Sequence, residues 1–334
     1  MERSGFPETL HLIQTINAIS YPKTIYDTSP LTMSISLTHQ HTYRGHTDTI
    51  SALALTPDGS HLISASHDKT LKVWALNDGT EKSILVGHYN RVTGVIVTPD
   101  GIRVISCSED KSLKIWNLTT GIEQFYLQQA HFNRITALAI TADGSRIITG
   151  SLDKSLKVWN LAKLEREHEL YLLTGHAHWV TAVAVTPDGN QVISAARDNT
   201  LKVWDLNNGQ LLQTLHGHTY FVSTVAVTPD GCSVVSGSWD NTIRIWDLKT
   251  GTELHILKGH TAQVETVIAD GRYIISVSYD KTLKVWELNT GTLVGNFTAA
   301  EQLTCCIVTP DGKTIMVGDQ GGQIMVLSVT FGHP

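Results

Sequence analysis

The chain has 334 residues, 41% of them hydrophobic, which is ample for a sizeable buried core in one large repeat domain or two ordinary ones. Its formal net charge of −6 gives none of the basic excess that nucleic-acid binding draws on, no apolar run approaches the roughly 18 residues of a membrane span, and an N-terminus broken by His11, Gln14 and Asn17 lacks the apolar segment of a secretory signal. The four cysteines, Cys107, Cys232, Cys305 and Cys306, fit neither a zinc site nor a disulfide framework, so a reducing, cytoplasmic setting is expected, with all four as small buried residues and no metal or other cofactor.

In chain order, residues 1–36 read as an N-terminal extension, partly irregular. Within it residues 1–33 stand outside every pattern; a short helix near Pro7 to Ile19, a bracket across the fold and the stub of a longer chain are the open readings. From Leu37 the chain repeats. Gly45-His46, Gly87-His88, Ala130-His131, Gly175-His176, Gly217-His218 and Gly259-His260 recur every 42 to 45 residues. An Asp follows each His by 22 residues, or by 20 in the sixth copy: Asp68, Asp110, Asp153, Asp198, Asp240 and Asp280. Six residues on comes a Trp: Trp74, Trp116, Trp159, Trp204, Trp246 and Trp286. Four residues before each Asp stands a hydroxyl: Ser64, Ser106, Thr149, Ser194, Ser236 and Ser276.

Each copy predicts four short antiparallel strands. The runs SALALTPDG, HLISASHDKT and LKVWALNDG alternate with period two and are divided by turn residues. Thr56-Pro57-Asp58-Gly59 and its equivalents are tight turns, with Pro presetting φ and Gly accepting a positive one. Leu71 and Val73 point to one face, Lys72 and Trp74 to the other, and a fourth strand follows from Ser83 to Val86. Four strands in about 42 residues make one blade of a β-propeller.

Six copies are explicit and a seventh is degraded, at Leu303 to Val308, Thr314 to Val317 and Gln323 to Val329. Alignment on its Thr309 to Gly312 turn puts Ala299 at the His position, Gly321 at the Asp position and Leu327 at the Trp position, so this blade lacks the polar residues and is expected to be the weakest. It also lacks a fourth strand of its own. Leu37 to Arg44 stands before the first Gly-His as Glu253 to Lys258 stands before a later one, so it is expected to close the last blade and remove its exposed edge. The fold class predicted is an all-β, seven-bladed propeller of four-stranded antiparallel blades over residues 37–330.

The Gly-His, the turn Asp and the dipeptides Trp204-Asp205 and Trp246-Asp247 resemble the WD-repeat family, over nearly nine-tenths of the chain. Elsewhere the dipeptide is Trp-Asn, Trp-Glu or Trp-Ala. The TPDG turns and close likeness among copies resemble bacterial WD-repeat regions, which often form the C-terminal half of larger NTPase or kinase signalling proteins. The resemblance implies that His, Asp, Ser/Thr and Trp form a structural hydrogen-bond network across each blade, although His46, Asp68 and Ser64 are also the residue types of a hydrolase triad. An active site would not need six copies. P-loop, Rossmann and nucleophile-elbow patterns are absent. His39-Gln40-His41 and His176-Ala177-His178 have no carboxylate or Cys at ligand spacing, so no metal site is expected from them. The recurring base four residues after each Asp (Lys72, Lys114, Lys157, Lys202, Arg244, Lys284) is expected to lay its stem over the adjacent blade edge.

The family's architecture places residues three after the His, and one before the Asp, around the mouth of the central channel. The first set is Thr49, Arg91, Arg134, Trp179, Phe221, Gln263 and Gln302. The second is His67, Glu109, Leu152, Arg197, Trp239 and Tyr279, with Gln320 in the seventh place. Both Trp residues outside the repeat pattern, Trp179 and Trp239, fall in these sets. Arg91, Arg134, Trp179, Arg197, Phe221, Trp239 and Tyr279 are therefore the candidate partner-binding residues, since Trp, Tyr and Arg are the usual anchors of protein interfaces. The expected function is a non-enzymatic scaffold, monomeric, that binds a protein or peptide with an apolar anchor and an acidic flank; nucleic acid and membrane are not expected partners. The alternative is a hydrolase or lyase with a site over the channel, for which His67, Glu109 and Glu265 are the available groups.

Overall fold

The structure, a computed structural model, describes residues 34–163 and 169–332. The readings made for residues 1–33 lie outside the described residues. Among the described residues, twenty-eight strands form seven four-stranded antiparallel sheets. In the first blade these are Ile50–Leu55, His61–Ser66, Thr70–Ala75 and Glu81–Val86, from the axis outwards. The fourth strand thus begins two residues before the expected Ser83, because Glu81 pairs with Trp74 across a bulge. Innermost strands of successive blades pack on one another, and the last packs on the first, so the blades close into a ring.

Closure follows the expected route with longer strands. Ile35–Arg44 pairs antiparallel with Gln323–Phe331, from Ile35 opposite Phe331 to Arg44 opposite Gln323. Both strands extend past the bounds read from the repeat because Ile35 is itself core, buried with Tyr273 and Leu327 where blades 6 and 7 meet. At the other end Tyr43 stacks on Trp74 of the first blade, with centroids 5.4 Å apart and planes 7° from parallel.

The core is a set of apolar layers between blades. The innermost strands are buried along their whole length in six blades, with Ser223 and Val227 of blade 5 partly buried, hence their richness in Val, Ile, Ala and Leu. Each repeat Trp is shared with the preceding blade: Trp116 packs with Leu85 and Ala54, and Trp204 with Leu173 and Ile148. In the seventh blade Leu327 fills this place.

A hydrogen-bonded ring runs around the axis. In every blade the pairing of the two innermost strands shifts register at the second residue of the first strand. Such a bulge re-aims its side chain. In six blades that residue is Ser or Thr, and its hydroxyl donates to the first carbonyl of the next blade. Ser51 reaches Val92 at 2.6 Å, Thr93 Ile135 at 2.8 Å, Thr136 Val180 at 2.7 Å, Thr181 Val222 at 2.6 Å and Thr304 Ile50 at 2.7 Å; Ser223 reaches Val264 likewise. The sixth blade has Glu265 at this position.

One expectation is corrected here. Cys107, Cys305 and Cys306 are buried, but Cys232 is exposed, because it follows the Asp230-Gly231 turn at the rim. The charged heads of the recurring bases have polar partners. Their heads meet the outer strand of their own blade, Lys72 at Glu81 (2.5 Å), Lys157 at Glu169 (2.7 Å) and Lys114 and Arg244 at Glu123 and Glu253. Where the outer strand offers no acid, Lys202 donates to Thr214 and Lys284 to Asn296.

Candidate functional site

The polar residues of the repeat meet in all six complete blades. In the fourth, His176 Nδ1 lies 2.8 Å from Asp198 Oδ2 and its Nε2 lies 2.7 Å from Ser194 Oγ, which also accepts from Trp204 Nε1 at 2.8 Å. One proton arrangement satisfies every group: indole N–H to serine oxygen, serine O–H to Nε2, and Nδ1–H to an ionised Asp. Asp198 also accepts from the N–H groups of Ala177 and Thr200 and from the Thr200 hydroxyl, so it ties two loops together. The same links join His46, Ser64, Asp68 and Trp74; His88, Ser106, Asp110 and Trp116; His131, Thr149, Asp153 and Trp159; His218, Ser236, Asp240 and Trp246; and His260, Ser276, Asp280 and Trp286. Burial works against the charge on each Asp, but the hydrogen bonds from His and from Ser or Thr prevail and hold all six below the usual carboxylate range. The Ser and Thr hydroxyls at the centre are fully buried, so no substrate reaches them as nucleophiles.

In the seventh blade Gly321 stands at the Asp position. Gly322 follows with φ +79°, and a Cβ there would lie 2.7 Å from the carbonyl oxygen of His46, so blade 1 backbone occupies the room a side chain would need.

The loops that hold His and Asp define the top face, and the two mouth sets lie side by side on it. In every blade the N–H of the residue before the Asp position donates to the carbonyl of the residue three after the His position. The seven pairs are His67 to Thr49, Glu109 to Arg91, Leu152 to Arg134, Arg197 to Trp179, Trp239 to Phe221, Tyr279 to Gln263 and Gln320 to Gln302, at 2.9–3.1 Å. The backbone repeats sevenfold while the side chains do not.

Blades 4 and 5 converge on one cation. Arg197 Cζ lies 4.8 Å from the Trp179 ring centroid, 4.8 Å from Phe221 and 5.0 Å from Trp239. Tyr220 stacks on Phe221 at 4.2 Å, and His178 stacks on Phe221 at 6.1 Å while meeting Trp179 edge-on. Desolvation lowers the Arg197 pKa, and Glu265 opposes that. Burial pushes the Glu265 carboxyl well above its usual range, against the attraction of Arg197 and a hydrogen bond from Trp239. On blades 2 and 3, Arg134 lies 3.4 Å from the carboxylate of Glu109. Burial raises the Glu109 pKa, and Arg134 and Arg91 counter this. Tyr279 is half-buried in blade 6.

Of the three arginines expected to face an acidic flank, Arg197 is therefore committed to the rings and Arg134 is partly neutralised. The open aromatics of these loops are others: Phe132 is 88% exposed, Tyr89 77% and Tyr220 46%. Tyr89 and Phe132 directly follow the network His, with their N–H groups held by Asp110 and Asp153. Their position in the repeat was readable, but the mouth sets do not include it.

Comparison with known proteins agrees with this architecture. The family model described as WD domain, G-beta repeat matches residues 37–75, 79–117, 123–160, 167–205 and 209–247, and the one described as TEP-1 C-terminal beta-propeller matches 260–329. The first match spans the closing strand and the three inner strands of blade 1, so the sequence repeat is offset from the structural blade by one strand. A 37-residue stretch is 46% identical to the ribosome biogenesis protein BOP1 homologs of Drosophila erecta and Drosophila melanogaster, and 43% identical to that of Drosophila willistoni. The stretch is 11% of this chain and 5% of each relative.

Proposed function

We propose, from the premise that this chain belongs to the WD-repeat β-propeller family, that it is a non-enzymatic scaffold binding a protein or peptide on its top face. Members of a shared fold differ in function, so the reading rests on the surface and not on the fold. The observation that carries it is the break in symmetry at the mouth. A backbone repeated seven times presents aromatic rings and arginines in blades 2 to 5, with Tyr89, Phe132 and Tyr220 open to solvent. Exposed rings beside guanidinium groups suit an apolar anchor on the partner, and Arg91 is the base best placed for an acidic group beside it. Trp179, Phe221, Trp239, Arg197 and Tyr279 form the firm wall behind these contacts. The rival channel enzyme would draw on His67, Glu109 and Glu265, which are buried in the walls of blades 1, 2 and 6. The reading includes a cytoplasmic monomer and a place as the recognition part of a larger signalling protein. The likeness to ribosome biogenesis proteins covers one repeat's length and supports the repeat alone.

Affinity capture from lysate of the source cells, with mass spectrometry, tests this. Tyr89→Ala, Phe132→Ala and Tyr220→Ala combined are expected to leave the melting curve unchanged and to abolish capture of a protein that the unaltered chain retains. Equal retention by both would move binding off this face.

A further inference from the structure

Glu265 is the one departure from the axial ring of hydroxyls, at the bulge position of blade 6. A Thr there would make the same bond as its six equivalents, whereas a carboxyl that is 2% exposed carries a desolvation cost that a hydroxyl avoids. Its partners are functional groups of other blades, the Trp239 indole and the Arg197 guanidinium. That guanidinium sits among three rings contributed by blades 4 and 5, each within 5.0 Å. Rings on several sides with a carboxyl behind are the chemistry that holds an organic cation. Arg197 is half-buried and not sealed in, so the assembly opens on the top face.

We propose that Trp179, Phe221 and Trp239, backed by Glu265, form a binding site for a guanidinium or alkylammonium side chain, which the protein's own Arg197 fills in this structure. The ligand it would take is an arginine or lysine side chain of the partner, admitted when Arg197 turns outward. This rests on the top-face reading and gives it a chemical class of ligand. It also accounts for Glu265: the carboxyl is the acceptor set beside whichever cation occupies the site.

The test uses the full chain with Arg197→Ala and methylguanidinium chloride as probe, read by indole fluorescence. Arg197→Ala is expected to bind the probe saturably and to ignore the neutral isostere N-methylurea. The unaltered chain, its site filled, is expected to bind roughly ten-fold more weakly or less, and Arg197→Ala with Glu265→Gln is expected to lose a similar factor. A response of Arg197→Ala that does not saturate, that N-methylurea reproduces, or that survives Glu265→Gln would overturn the proposal. If Arg197→Ala does not fold, Arg197→Gln, which keeps much of the side chain's bulk without its charge, takes its place under the same criteria. Because the probe is a small molecule, equal protein capture by the unaltered chain and the Tyr89, Phe132 and Tyr220 variant, with probe binding as expected, would count against the top-face reading alone, and the reverse against the cation site alone.

Discussion

Removing residues 1–44 is expected to abolish the cooperative unfolding of the whole ring, or to lower its stability by at least about 5 kcal/mol. The truncation strips the ladder between Ile35–Arg44 and Gln323–Phe331, and with it the burial of Ile35 and the stacking of Tyr43 on Trp74. A buried Ile or Tyr contributes roughly 1.5–3 kcal/mol and each net ladder hydrogen bond about 1 kcal/mol, so the strand far outweighs an ordinary surface deletion. It also leaves the nine-residue strand Gln323–Phe331 as an open edge, a template for association between molecules. Denaturant unfolding with size-exclusion chromatography checks this: a lower midpoint and higher oligomers are expected, with partial recovery when a peptide of residues 34–46 is added. An unchanged midpoint would mean that the ring does not depend on this strand.

Replacing Asp198 by Ala is expected to cost roughly 1–3 kcal/mol, near the upper end of that range. The carboxylate accepts four hydrogen bonds, from His176 Nδ1, the N–H groups of Ala177 and Thr200, and the Thr200 hydroxyl. Its loss leaves a buried imidazole without its acceptor and frees the loop of blade 4. The same network sets the pH response. The six turn Asp residues have folded pKa values below the ordinary carboxylate value of about 4, so their contribution is present above that pH and is lost as pH falls through and below it. Burial holds His88, His131 and His218 below the usual imidazole value of about 6.5, against the pull of their Asp partners, so the unfolded chain takes up protons first. Stability is therefore expected to fall in two stages on acidification, below about pH 6.5 and more steeply below about pH 4. In Asp198→Ala the second stage shrinks. Urea midpoints at pH 7, 5 and 3.5 for both proteins check the sign, and a midpoint that rises on acidification would contradict it.

The fold was legible because period and spacing are direct physical signals. His, Asp, Ser/Thr and Trp recur at fixed offsets because each blade must satisfy the same buried donors and acceptors, and the absent fourth strand of blade 7 pointed to Leu37–Arg44. The ring of hydroxyls was equally present in the sequence, five residues after each His position as Ser51, Thr93, Thr136, Thr181, Ser223, Glu265 and Thr304. It is invisible without the bulge that turns those side chains toward the next blade, so Glu265 read only as an acid near the mouth. The mouth sets were legible as positions, but their engagement was not. Whether Arg197 faces solvent or enters a nest of rings depends on blades 4, 5 and 6 meeting in space. Tyr89 and Phe132 stand at a readable position, one residue after the network His, but the mouth sets exclude it and the spacing does not show how exposed it is. The bases at Lys72 and its equivalents were placed on the correct strand face, but their partners lie on outer strands whose acids, Glu81, Glu123, Glu169 and Glu253, recur in four blades only.

Hydrogen–deuterium exchange of the chain with and without its captured partner tests the central claim most directly. The account predicts protection confined to the top-face loops around Tyr89–Arg91, Phe132–Arg134, His178–Trp179 and Tyr220–Phe221, with the Thr56–Gly59 turn and its equivalents unchanged. Protection confined to those turns or to the outer strands would contradict it.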